Sequence, residues 1–202
     1  VELATTSGAT KIWVPTFDEI YPSDPVIIAS GAIGNLFEGV HRFGHFDGML
    51  TVVKRLFDLV QPQFAVFGEK DFQQLFLIKK MVKEMNLPIE IISAPTIRET
   101  SGLAMSSRNQ RLSITERKSA AGISRALESA KSASDLTTAR LQLTKGLLSI
   151  PNFLLDYAEI IDGDSFEIAD DSTENCRAIV AGWINGIRLI DNMAMSNLGD
   201  SK

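Results

Sequence analysis

The 202-residue sequence has little soft-ligand chemistry: one cysteine, Cys176, and two histidines, His41 and His45. A single thiol excludes an intramolecular disulfide, and the histidines are too few to build a zinc site with it. A reducing, cytoplasmic setting fits that usage best. No segment approaches the length of a membrane span, and the N-terminus lacks the basic-then-apolar pattern of a signal peptide. There is no excess of positive charge either: the formal net charge is −5, which argues against nucleic-acid binding while leaving room for a local basic pocket.

What is present is a composition close to that of ordinary globular proteins, 45% hydrophobic and 22% charged, enough to bury a core. Lys11–Pro15 and Val26–Ala29 are apolar runs next to prolines and read as short strands. Gly34–Val40 reads as a short helix. From Met49 to Val60 the apolar residues recur at three and four, so a helix with one buried face is expected, with Asp47 able to cap it.

Phe64–Phe67 then reads as a strand, followed by Gly68-Glu69-Lys70-Asp71 and a helical stripe through Phe72, Leu75, Ile78, Val82 and Met85. On this reading Lys79, Lys80 and Lys83 form a solvated face. Ile89–Ile92 is the next strand. This alternation of strand and helix predicts an α/β fold with a parallel, doubly wound sheet. The alternation stops near residue 96, which sets an expected boundary between domains 1–96 and 97–202.

The second domain reads as α+β. Ser113 with Glu116 forms a capping-box pattern before two amphipathic helices, about residues 115–133 and 135–149. Leu154–Ile161, Arg177–Ile184 and Ile187–Asn192 are apolar and β-branched. Asn185-Gly186 between the last two predicts a type I′ antiparallel hairpin, because both turn positions need positive φ.

Residues able to carry chemistry gather in two tracts. At the strand-to-helix turn, Gly68 lets a backbone approach a ligand, the helix start offers free N–H groups, and Lys70 adds a full positive charge. That combination suits a phosphate. Asp71 either accepts ribose hydroxyls or caps the helix, and Gln74, three residues on, points to the same end. In the long loop from Glu99 to Leu112, Ser106, Ser107 and Arg108 form a compact donor set for phosphate oxygens. His45 either donates a hydrogen bond to a ligand or serves as a structural histidine, and Cys176 reads as a bystander.

Four tracts, Phe67-Gly68-Glu69-Lys70-Asp71-Phe72-Gln73-Gln74-Leu75, Gly102-Leu103-Ala104-Met105-Ser106-Ser107-Arg108-Asn109, Gly44-His45-Phe46-Asp47-Gly48 and Leu189-Ile190-Asp191-Asn192, together resemble the pantothenate synthetase family, also called pantoate beta-alanine ligase. The resemblance runs from about Ile12 to about Asn192. It implies the second part of a Rossmann-like nucleotidyltransferase domain followed by a smaller C-terminal lid. It also implies a two-step reaction in which ATP and pantoate form pantoyl adenylate before β-alanine displaces AMP. Carried over, the ATP site is Gly68, Glu69, Lys70, Asp71, Ile97, Met105, Ser106, Ser107 and Arg108. Lys70, Ser106, Ser107 and Arg108 would stabilise charge on the phosphate oxygens, and Gln74 would bind pantoate.

The resemblance further implies Mg2+ on the phosphates, with no protein ligand assignable, and a homodimer. The chain departs from the family in lacking its His-x-Gly-His tract and a second pantoate glutamine. It therefore corresponds to the family protein without roughly its N-terminal third, and the Lys70 turn is expected to be a half-site with impaired adenylation. A non-catalytic binding or dimerisation module is the alternative. A different nucleotidyltransferase is disfavoured by Gln74 and the Met105–Asn109 tract.

Overall fold

The computed structural model describes residues 1–195, and these group into two units, Val1–Pro62 and the residues from Gln63 onward. The boundary expected from the sequence, near residue 96, falls inside the second of these units.

In the first unit, α1 (Glu2–Thr6) and α2 (Phe17–Ile20) are short, and α2 opens with a reciprocal capping box between Thr16 and Glu19. The helix expected over Gly34–Val40 is two pieces, a 3-10 turn over Ala32–Asn35 and α3 (Glu38–His41). Phe37, at a φ of 46°, interrupts them. The helix α4 (His45–Val60) starts at Gly44, ahead of Asp47, and buries Phe46, Met49, Leu50 and Phe57. Asp47 thus lies inside its first turn and is not the cap.

Neither expected strand in this unit forms. Val14 and Val26 are 73% and 89% exposed, and no strand pairs with Lys11–Pro15 or Val26–Ala29 among the described residues. A polar stripe of α4, spaced four by four, takes the place of a neighbouring strand. The Asp47 carboxylate accepts from the Ser30 N–H (2.8 Å) and hydroxyl (2.6 Å), Thr51 Oγ1 accepts from the Ile28 N–H (2.9 Å), and Arg55 Nε donates to the Ile20 carbonyl (2.7 Å). Side chains on one helix face thereby satisfy the Ile28 and Ser30 N–H groups of the extended segment and the last carbonyl of α2.

The second unit begins with β1 (Phe64–Gly68), a 3-10 turn over Glu69–Asp71, α5 (Phe72–Glu84) and β2 (Glu90–Ala94). β1 and β2 pair in parallel, with Phe64 opposite Glu90 and Gly68 opposite Ala94. The helix turns Leu75, Leu77, Ile78, Met81 and Val82 inward, while Met85 falls past its end and is exposed. Gln73 is buried as well.

Beyond the loop, α6 (Ile114–Lys131) starts with the expected Ser113–Glu116 capping box, and α7 (Leu136–Leu148) starts on Asp135, whose carboxylate accepts from the Thr138 N–H. The strands β3 (Phe153–Asp162), β4 (Cys176–Ile184) and β5 (Ile187–Ala194) form an antiparallel sheet in that order. Asn185 (φ 48°) and Gly186 (φ 73°) both take left-handed φ, the requirement of the type I′ turn. The core of this unit lies between the two helices and the sheet, with Leu127, Leu143, Leu147, Ile160, Val180 and Ile184 at its centre. A parallel β–α–β unit plus a separate antiparallel sheet bears out the α/β class.

Candidate functional site

β1 ends at Gly68, whose φ of −74° is open to any residue and where a Cβ would meet only open space. No protein contact therefore demands glycine at this point. The chain turns through Glu69–Asp71, and Asp71 becomes the N-cap of α5 but makes no side-chain capping bond. Of its two readings, the structure supplies the position of a cap without the cap's hydrogen bond.

Lys70 is half-buried, and it lines one cavity together with Ser106 and Arg108. The two separate sequence tracts thus meet. Leu103, Ile123 and Leu189 supply apolar wall, while Arg188 and Asp191 also face the cavity. The charges there sort themselves by pairing. Arg188 Nη2 holds Asp156 Oδ2 at 2.6 Å, and Arg98 holds Asp191 through two contacts of 2.6 and 3.0 Å. Lys70 and Arg108 have no carboxylate partner among the described residues. The cavity therefore carries two uncompensated cations and a serine hydroxyl, a donor set that favours an anion.

The loop that carries Arg108 is well tied. Ser106 Oγ accepts the Arg108 N–H at 3.2 Å and caps a 3-10 turn over Ser107–Arg111. Asn109 is buried; its amide donates to Glu99 Oε1 and to the Ala104 carbonyl, both at 3.0 Å, and Glu99 also holds Arg117 at 3.0 Å. Asn109 Oδ1, buried beside the cavity, has no hydrogen-bond partner among the described residues. Arg98 and Ala104 form an isolated bridge across the loop's start, and the Met105 N–H donates to the Ile97 carbonyl at 2.9 Å.

The other expected site residues are placed as follows. Ile97 and Met105 are adjacent and exposed, Ser107 is exposed, and Gln74 is half-buried in the first turn of α5. None of these four is among the residues lining the Lys70 cavity. His45 opens α4 in the first unit. Cys176 is buried with its thiol toward the Thr173 carbonyl (3.4 Å), and burial pushes that thiol above its ordinary pKa, as suits a bystander. Among the described residues no group of three or more His, Cys, Asp or Glu side chains could hold a metal ion.

Sequence reading missed the residues that hold the Lys70 turn from behind. Asn192 Nδ2 donates to the carbonyls of Glu69 (2.8 Å) and Lys70 (2.9 Å), and its Oδ1 accepts from Arg177 Nη1 (2.5 Å). Arg177 also lies 3.5 Å from Glu69 Oε2 and sits over the Phe72 ring, 4.2 Å from its centroid. Burial lowers the pKa of this guanidinium, and Glu69 opposes the shift. The ring of Phe166, from the β3–β4 connection, stacks on Phe72 at 6.1 Å and tilts against Phe76 at 4.9 Å. The signal in the sequence was Asp191-Asn192, adjacent polar residues in a largely apolar strand and part of one of the four tracts that carry the resemblance, though nothing there pointed to the Lys70 turn.

A strand, turn and helix that carry Lys70, with Ser106 and Arg108 of the long loop lining the same cavity, define an α/β protein whose cavity presents cationic donors. The chain belongs to the pantoate-beta-alanine ligase family, whose model, described as "Pantoate-beta-alanine ligase", matches residues 1–194. It is 42% identical to the pantothenate synthetase of Acidothermus cellulolyticus, covering 96% of this chain and 66% of that protein. To the pantothenate synthetase of Nocardioides sp. it is 41% identical, covering 96% of this chain and 60% of the relative. The chain thus spans roughly two thirds of the relatives it matches.

Among solved structures, pantothenate synthetase from Thermus thermophilus superposes with a TM-score of 0.90 at 38% identity, covering 96% of this chain and 73% of that one. Pantoate-beta-alanine ligase from Francisella tularensis, crystallised in complex with beta-gamma ATP and beta-alanine, gives a TM-score of 0.72 at 30% identity, covering 96% and 68%.

Proposed function

We propose that the chain works in the ATP-dependent condensation of pantoate with β-alanine to pantothenate, through a pantoyl adenylate. The observation that carries this is the pair of uncompensated cations, Lys70 and Arg108, brought with Ser106 to one cavity at the carboxyl end of β1. The family and the ligands named for the Francisella tularensis relative supply the identity of the anion.

In the first step a pantoate carboxylate oxygen bonds to the α-phosphorus and pyrophosphate leaves. In the second the β-alanine nitrogen attacks the acyl carbon and AMP leaves with the C–O electron pair. Charge grows on phosphate oxygens in the first step, and preorganised donors lower its barrier. Lys70 and Arg108 meet that charge as full cations, and Ser106 and Ser107 add hydroxyl donors. Gly68 to Asp71, Ile97 and Met105 complete the nucleotide wall on this reading. Gln74, in the first turn of α5, takes pantoate; His45 is kept as a candidate ligand hydrogen-bond donor of the first unit. Mg2+, brought with the nucleotide, would neutralise part of the phosphate charge. The cationic donors around the cavity do not fit a protein-held metal, so no residue here is its ligand.

No helix among the described residues is long and apolar enough to cross a membrane, and a cytoplasmic homodimer is the setting we propose. The test is ATP titration of the purified chain beside Lys70→Met and Arg108→Gln, together with a pyrophosphate assay. ATP binding weakened in both variants, with slow pyrophosphate release that requires pantoate, supports the reading. Binding indifferent to both cations overturns it, and binding without any pantoate-dependent pyrophosphate identifies a non-catalytic module.

A further inference from the structure

We propose that Asn192 is the positioning residue for Lys70, holding the Glu69–Asp71 turn by its backbone so that the ammonium stays over the cavity, and that Arg177 locks Asn192 in the donating orientation. This rests on reading the cavity as a nucleotide-phosphate site.

The orientation of the Asn192 amide follows from its surroundings. A guanidinium carries donors only, so the atom 2.5 Å from Arg177 Nη1 is the amide oxygen, and the NH2 group must face the Glu69 and Lys70 carbonyls at 2.8 and 2.9 Å. Both amide hydrogens are then spent on the carbonyls that flank the Lys70 Cα. Asn192 itself is immobilised: its N–H donates to Asp191 Oδ1 at 2.8 Å, its carbonyl accepts from Arg98 Nη2 at 3.3 Å, and it is 4% exposed.

These bonds differ from those that merely knit a sheet. They cross from β5 to a turn over a hundred residues earlier in the chain, and they take only carbonyl oxygens. The Lys70 side chain is left untouched, free to meet a ligand. Arg177 is fixed in turn by the Phe72 ring and the Glu69 carboxylate. The clamp therefore closes on both ends of one three-residue turn. Aspartate, the isostere of Asn192, would aim an oxygen at two carbonyls and open it.

The experiment reads Lys70 directly. Pulsed acetylation without nucleotide, quantified by mass spectrometry, compares Lys70 with Lys79 and Lys83 on the exposed side of α5. In Asn192→Asp the Lys70 rate is expected to change by about threefold or more while the two controls stay level, as befits a local opening. ATP dissociation constants are expected to rise about tenfold in Asn192→Asp, yet less than about twofold when the same change is made in Lys70→Met, because the effect passes through Lys70. Arg177→Lys, which keeps the charge near Glu69, is the second variant should Asn192→Asp not fold, with the same direction and smaller size.

An unchanged Lys70 rate in a folded variant, or an equal loss of ATP affinity with and without Lys70, overturns the proposal. If the unaltered chain binds no ATP, the nucleotide reading falls, and the acetylation rates still decide whether Asn192 sets Lys70.

Discussion

Arg98 and Asp191 meet end-on, Nη1 to Oδ2 at 2.6 Å and Nη2 to Oδ1 at 3.0 Å, with the aspartate side chain 3% exposed. The same guanidinium donates to the Gly102 carbonyl at 3.1 Å, so one side chain fastens the start of the long loop to β5. Removing the carboxylate leaves a largely buried cation without its partner. Asp191→Ala is expected to lower unfolding stability by about 3 kcal/mol. Urea unfolding measures it, and because the pair is sheltered the loss should persist at high salt. A difference that vanishes in 0.5 M salt, about the regime of a 4–5 Å Debye length, would show the pair to be solvent-screened.

Lys70 and Arg108 should declare themselves through ionic strength. Cations that meet phosphate without competing carboxylates make ATP affinity fall as salt rises. Lys70→Met is expected to reduce that slope as well as the affinity. Parallel salt profiles for the two proteins would place the nucleotide elsewhere.

Acid should weaken the hold of α4 on residue 30. The Ser30 hydroxyl, and then its N–H, keep the Asp47 carboxyl below the usual carboxylate range. A depressed pKa in the folded state means that the carboxylate stabilises fully above its unfolded value, about 3.9, and that this contribution disappears as pH falls through the folded value. Asp47→Asn is expected to flatten the acid limb of the stability profile and to cost about 1 kcal/mol at pH 7. Thermal unfolding of both proteins between pH 7 and 3 checks it; identical acid limbs would count against the assignment.

Gly182 tests the packing of the antiparallel sheet. A Cβ there would lie 2.2 Å from Phe153 Cζ and 2.7 Å from the Leu154 carbonyl oxygen. Gly182→Ala must push the Phe153 ring or part β3 from β4, and a loss of about 3 kcal/mol is expected on equilibrium unfolding. A loss under about 0.5 kcal/mol would mean that the ring moves aside freely.

Elements whose causes are local were legible in the sequence. Gly68 before charged residues marked the end of β1, Ser113 with Glu116 marked the start of α6, and Asn185-Gly186 marked the hairpin. Each depends on neighbours a few positions away. Val26–Ala29 misled because an apolar, β-branched run states a wish to be extended and not what will satisfy its backbone. Here Thr51 does so for the Ile28 N–H, and Asp47 for the adjoining Ser30 N–H, from a helix.

In the site, Lys70, Ser106 and Arg108 were legible by charge and hydroxyl chemistry. Their support was not. Arg98 finds Asp191 across 93 positions and Asn192 finds Glu69 across 123, and no local pattern announces partnerships of that reach. Asn109, buried with one amide oxygen unmet, was equally invisible within a polar loop.

The two-residue hairpin turn at Asn185-Gly186 also sets the phase of everything downstream on β5. Side chains alternate faces along a strand, so adding one residue in that turn would carry Asp191 into the place of Asn192, with Ile190 behind it, and deleting one would carry Asn192 into the place of Asp191, with Met193 behind it. Insertion would set a carboxylate against the Glu69 and Lys70 carbonyls, and deletion would set a neutral amide against Arg98. Insertions at this exposed tip, ordinarily among the most forgiving places in a protein, are here errors of frame that reach the cavity.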